Sequence, residues 1–178
     1  GWEVVDVLPP EMERCYLLWG HLLGEDFPTT LAGLDGVISE EGAHLMRSSI
    51  EFWPAGGITP QVVHAERLRL AREWALFLDL HPVLVLPTWY QPPFSHHDDL
   101  SSDPAAVRTL YDAVFTPITP ANLLGLPATQ IPVGCNADGV PLGVQLMADR
   151  HREDRTLAAA AIVEAAYPPI TPIDPIKS

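Results

Sequence analysis

Lysine is almost absent from this chain. Of 178 residues only Lys177 is a lysine, and Lys and Arg together number 10 against 23 Asp and Glu, a formal net charge of −13. Nucleic acids and anionic membrane surfaces are gripped by clustered basic side chains, so neither is an expected partner. Cysteine is scarce as well: Cys15 and Cys135 stand far apart, and neither belongs to a Cys-x-x-Cys pair. Such usage predicts two buried, reduced thiols in a cytoplasmic protein and argues against a disulfide framework. No apolar run reaches the roughly 18 residues that a membrane-crossing helix needs, and no basic segment leads into an apolar one as in a secretory leader. Gly33, Gly36 and the Gly56-Gly57 pair lack the strand–turn–helix setting of a phosphate-binding loop, so no nucleotide cofactor is expected. A Gly-x-Ser-x-Gly nucleophile turn is missing too.

What is present is enough apolar material for one sizeable core: 47% of residues are hydrophobic, and one domain is the expectation. Residues 1–7 alternate apolar and polar and predict a strand, ended by Pro9-Pro10. Glu11 to Leu23 predicts a helix with a broad apolar face, stopping at Gly24. Phe27 to Val37 reads as loop. Ser39 opens a helix running to about Phe52, and Pro54 to Gly57 breaks it. Thr59-Pro60 is an N-cap followed by proline at the first helical position. The helix it starts runs to about Leu80, with Val63, Leu70, Trp74, Phe77 and Leu78 inward and Glu66, Arg67, Arg69, Arg72 and Glu73 outward. Pro82 to Leu86 is a continuous apolar run, which predicts a strand covered on both faces. Asp103-Pro104 begins another helix, and Glu153 to Ala166 is the last. Pro168, Pro169, Pro172 and Pro175 describe a tail over 168–178 that forms no packed element. A chain that opens on Gly1 and enters at once into a strand-like run is expected to begin inside a longer protein.

The densest pattern lies between Ala121 and Gly143. Asn122-Leu-Leu-Gly-Leu-Pro127 is followed by the β-type run Thr129 to Val133. Asp138-Gly139 is a hairpin turn signal, and the chain returns as Val140 to Met147. The spacing Asn-x-x-Gly-x-Pro, then Ile-Pro-Val-Gly, then Asp-Gly-x-Pro-x-Gly-x-Gln-Leu, with Glu153-Asp-Arg-Thr-Leu157 opening the last helix, resembles the C-terminal part of the amidase signature family. Val83-Leu-Val-Leu-Pro87-Thr88 resembles that family's strand before its pocket loop, and the resemblance extends over roughly residues 1–167. It implies an α/β fold: the C-terminal part of a mixed, twisted sheet with helices on both faces, incomplete as a chain. That layering also follows from strands alternating with helices of 10–15 residues.

The resemblance further implies carbon–nitrogen bond hydrolysis by a serine nucleophile, a second serine and a lysine. A serine needs a neighbouring base, and a lysine serves when desolvation holds it neutral. Here Lys177 sits in the proline-rich tail, and Ser48-Ser49 lies on a predicted helix without flanking glycines. No catalytic residue is therefore assigned within these residues; the triad would come from an N-terminal half of the same protein. What this portion would supply is sheet core and the loops of a pocket for a small amide. The matching segments give Trp89, Phe115, Thr116 and Pro117 as the substrate-binding residues. In glutamine-using relatives an acidic residue occupies roughly the position of Phe115; an aromatic there favours an apolar or aryl substrate over free glutamine. Packing alone would also account for these aromatics.

Other clusters read as ordinary surface. His96-His97-Asp98-Asp99 are sequence neighbours that rarely aim at one ion, so no metal site is expected. Glu40-Glu41 suits a helix start. A second reading of the whole chain is a non-catalytic binding module. Its apolar strands predict association in either case, with the N-terminal half or with further copies of itself.

Overall fold

The structure, a computed structural model, describes residues 2–34, 36–53 and 56–167. Gly1, the Pro54-Ala55 break, the 168–178 tail and Lys177 lie outside them.

Helix α1 spans Met12–Gly33 and runs through both Gly24 and Pro28. The expected stop at Gly24 does not occur, and the first seven residues of the expected loop over 27–37 are helical. The reason is tertiary. A Cβ on Gly24 would overlap the backbone carbonyl of Trp53, and one on Gly20 would overlap its indole ring. Both glycines are spacers that let α2, Glu40–Phe52, approach α1. Local chemistry does fix the start of α2, where the Ser39 hydroxyl accepts from the Gly42 N–H at 3.2 Å. It also fixes α3, Pro60–Leu80, capped by Thr59. On α3 Val63, Leu70, Trp74 and Leu78 are buried and Phe77 is packed against them. Arg67 departs from its expected solvent position: half-buried, it donates from Nε to the Leu123 carbonyl at 2.6 Å. Arg69 binds Glu11 at 2.7 Å, Glu66 at 3.0 Å and Glu73 at 2.9 Å, and Arg14 reaches Glu66 at 3.3 Å, so ion pairs tie the start of α1 to α3.

Strands β1 (Leu84–Pro87), β2 (Ala128–Cys135) and β3 (Pro141–Met147) form one antiparallel sheet in the order β1-β3-β2. Leu84 pairs with Met147 and Pro87 with Val144; on the other side Ala128 pairs with Met147 and Cys135 with Pro141, with a bulge between Pro132 and Gly134. The hairpin turn uses the expected Asp-Gly: Gly139 takes φ 79°, and the Asn136 side-chain oxygen accepts from the N–H groups of Asp138 and Val140. Side chains alternate across the pleat. Met147 and Leu84 join Cys15, Leu18, Leu70, Trp74, Leu78, Leu123 and Leu124 in one core. Leu146 and Ile131 face the other way, against Ala159 and Ala160 of α6, Glu153–Ala166. Helices therefore cover both faces of β3, as the α/β expectation requires.

Two strand expectations are corrected. Residues 2–7 carry no regular structure, and Val4 is 93% exposed; a strand exists only through a neighbour's ladder, and no described strand lies beside them. Among the described residues β1 lies at a sheet edge rather than being buried on both faces, with Val85 at 55% exposure. Cys15 is buried and unpaired as expected, whereas Cys135, at the hairpin tip, is exposed. Burial pushes the Cys15 thiol up to about 12.

A second core holds Tyr16, Trp53, Val107, Leu110, Tyr111 and Val114. It is built on α4, Pro104–Phe115, which starts at Asp103, whose carboxylate accepts from the Ala105 N–H at 3.0 Å. The short helix α5, Thr119–Leu124, ends on Gly125 in the left-handed region at φ 69°. Among the described residues no helix is long and apolar enough to cross a membrane.

Candidate functional site

The chain leaves β1 at Pro87, and the Thr88 N–H still reaches the Gly143 carbonyl at 3.4 Å. The following loop is pinned to α4 by a bond from the Tyr90 N–H to the Ala113 carbonyl, 2.9 Å. Trp89 then lies stacked on Phe94, ring centroids 5.6 Å apart and 19° from parallel. Against this loop lies the turn-side half of the β2–β3 hairpin. The two enclose a groove of about 240 Å³ lined by Thr88, Trp89, Gln91 and Pro93 on one side and Gln130, Pro141, Leu142 and Gly143 on the other. None of the eight residues carries a titratable side chain. The groove can hold an uncharged ligand and hydrogen-bond it, but cannot itself move a proton at neutral pH.

The four residues singled out from sequence do not all meet here. Trp89 lines the groove. Phe115, the last residue of α4, packs on Trp19 at 5.1 Å and Tyr111 at 5.3 Å. Trp89 and Phe115 nonetheless abut the same aromatic core. The Thr116 hydroxyl donates to the Asp112 carbonyl at 2.6 Å and finishes α4. Pro117 is fully buried, and its carbonyl accepts from Nε2 of Gln145 at 2.8 Å. The same Nε2 lies 3.3 Å from the Pro87 carbonyl. Gln145 thus ties the root of the Trp89 loop to the segment carrying Phe115. Its signal in the sequence was a lone amide within an apolar strand, since a buried amide must find partners.

The remaining candidates have structural employment. Asp98 accepts from the Ser95 N–H at 2.8 Å, while His96 and His97 are exposed; among the described residues no cluster of His, Cys, Asp and Glu is arranged to hold a metal. The buried Ser49 hydroxyl donates to the Leu45 carbonyl at 2.9 Å. Burial, and then the Asp112 carboxylate, raise the Tyr16 hydroxyl well above its ordinary value.

A small antiparallel sheet between a helical layer and α6, with a polar groove at one end, defines a layered α/β protein. Solved structures share that fold: 6-aminohexanoate cyclic dimer hydrolase complexed with substrate matches with a TM-score of 0.64 and 21% identity, over 94% of this chain and 38% of that one. At the level of sequence the chain is 31% identical over 176 residues to indoleacetamide hydrolase of Bradyrhizobium japonicum, covering 92% of this chain and 35% of that protein. It is 30% identical over 196 residues to fatty-acid amide hydrolase 2-A of Danio rerio, covering 94% of this chain and 34% of that protein. Residues 1–157 match the Amidase family, and the chain belongs to it. It spans about a third of the length of these curated relatives, 35% and 34%.

Proposed function

We propose that these residues are the C-terminal portion of an amidase that hydrolyses a carboxylic amide to an acid and ammonia or an amine. In this reading an N-terminal half of the same protein supplies the nucleophile and its base. The present residues supply sheet core and one wall of the pocket, with Trp89 facing the substrate and Phe115, Thr116 and Pro117 backing it. The observation that carries the reading is the uncharged groove beside Trp89, which sits where the pinned Trp89 loop meets the turn-side half of the hairpin. The names of the relatives, which act on indoleacetamide and fatty-acid amides, agree with an apolar acyl group. Two unpaired thiols accord with a cytoplasmic location.

The test compares the 178 residues alone with the same residues expressed together with the sequence that flanks them in their gene. Ammonia release from phenylacetamide is expected only from the second protein, and Trp89→Ala is expected to raise its KM about tenfold or more through lost aromatic contact. Turnover by the 178 residues alone, abolished by Ser49→Ala, would overturn the division of labour. No turnover of any neutral amide by the longer protein would overturn the reading itself.

A further inference from the structure

We infer that Thr88 and Gln130, facing each other across Gly143, form a polar anchor that selects a neutral carboxamide and rejects charged amino acids and carboxylates. The inference rests on the amidase reading only for its place at the substrate; the binding chemistry follows from the groove.

Three observations converge. First, the Thr88 hydroxyl is buried yet makes no hydrogen bond among the described residues. A buried hydroxyl without a partner is costly, and this one belongs to a residue lining the groove. Second, Gly143 keeps the anchor open. A Cβ there would lie 2.9 Å from Nε2 of Gln130, 3.3 Å from the Ile131 carbonyl and 3.5 Å from the Thr88 hydroxyl. The missing side chain lets the Gln130 amide and the Thr88 hydroxyl approach one strand position from two sides. Third, the lining contains two side-chain amides, Gln91 and Gln130, the one hydroxyl, and the apolar surfaces of Trp89, Pro93, Pro141 and Leu142. A carboxamide carries one acceptor oxygen and a donor NH2, which match a hydroxyl and a side-chain amide. Its apolar substituent finds the Trp89 side. A carboxylate or an ammonium would meet no counter-charge among the lining residues, so whatever solvation it lost on binding would go uncompensated.

The probes are benzamide as the neutral ligand, with benzoate and free L-glutamine as charged counterparts. Isothermal titration uses the protein with its flanking sequence. Benzamide is expected to bind more tightly than either charged probe. Thr88→Val, which keeps the shape and removes the hydroxyl, is expected to weaken benzamide about tenfold, and Thr88→Ser to restore most of that loss. Gly143→Ala is expected to weaken it as well, with cooperative unfolding retained. Equal benzamide affinity in wild type and Thr88→Val, an equal loss in Thr88→Ser, absence of benzamide binding, or tighter binding of benzoate or glutamine would each overturn the anchor. Binding as described without any amide turnover leaves the anchor standing and removes the hydrolase reading; turnover without Thr88-dependent binding does the reverse.

Discussion

Gly24 separates two kinds of information in this chain. As a letter among its neighbours it marks a helix end, because glycine is the common stop. In the fold it is buried in mid-helix, against the carbonyl of Trp53. The residue that decides its role lies far along the chain, so no local pattern announces it. Ser39, Thr59 and Asp103 behave as the sequence predicts because their partners, the N–H groups of Gly42, Val62 and Ala105, are two or three residues away. Gly24→Ala should therefore destabilise, since the carbonyl it meets is backbone and can only move with α2; overpacking of this kind costs about 1–3 kcal/mol. Gly33→Ala, with nothing within 4 Å of the new methyl, should instead stabilise by up to about 1 kcal/mol through helix propensity. Urea midpoints that move in the same direction for the two variants would contradict the spacer role of Gly24.

Elements were readable in proportion to how local their stabilisation is. α3 and α4 emerge from period and caps together. β1 was recognised as a strand, but its exposure was not, because an apolar run does not say whether a strand is central or at an edge. The buried role of Gln145 was hidden for a similar reason: its carbonyl partners at Pro87 and Pro117 belong to other segments. Between elements, the start of α1 is fastened to α3 through Arg69. Hydrogen bonds from this guanidinium are the first cause that holds the Glu11 and Glu66 carboxyls below their ordinary 4.5. A depressed carboxyl contributes stability that is complete above its unfolded value and disappears as pH falls through the folded one. The difference in urea midpoint between wild type and Arg69→Met should thus be largest near neutrality and shrink as pH drops below 4.5. Added salt should shrink it too, because these groups are exposed. A difference that grows on acidification would refute the linkage.

At the scale of the molecule, several large apolar side chains are left exposed. Trp2 is 58% exposed, Val4 93%, Leu8 92% and Val85, on the outer strand, 55%. Exposed apolar side chains favour association, and an open strand edge templates it. The 178 residues alone are expected to self-associate and to bind a hydrophobic dye, whereas the protein with its flanking sequence is expected to unfold cooperatively without dye binding. A monodisperse monomer of the 178 residues that melts cooperatively and leaves the dye dark would show that they close their own surface. The strand order has a further consequence on the ribosome. β3 joins the sheet together, yet it is the last strand made: Leu84 must wait for Met147. About sixty residues separate them, and at roughly 5–20 residues per second the side of nascent β1 that β3 will pair waits roughly three to twelve seconds. During that interval the β3-facing ladder groups of an apolar strand stand open to capture by a chaperone before its own hairpin arrives.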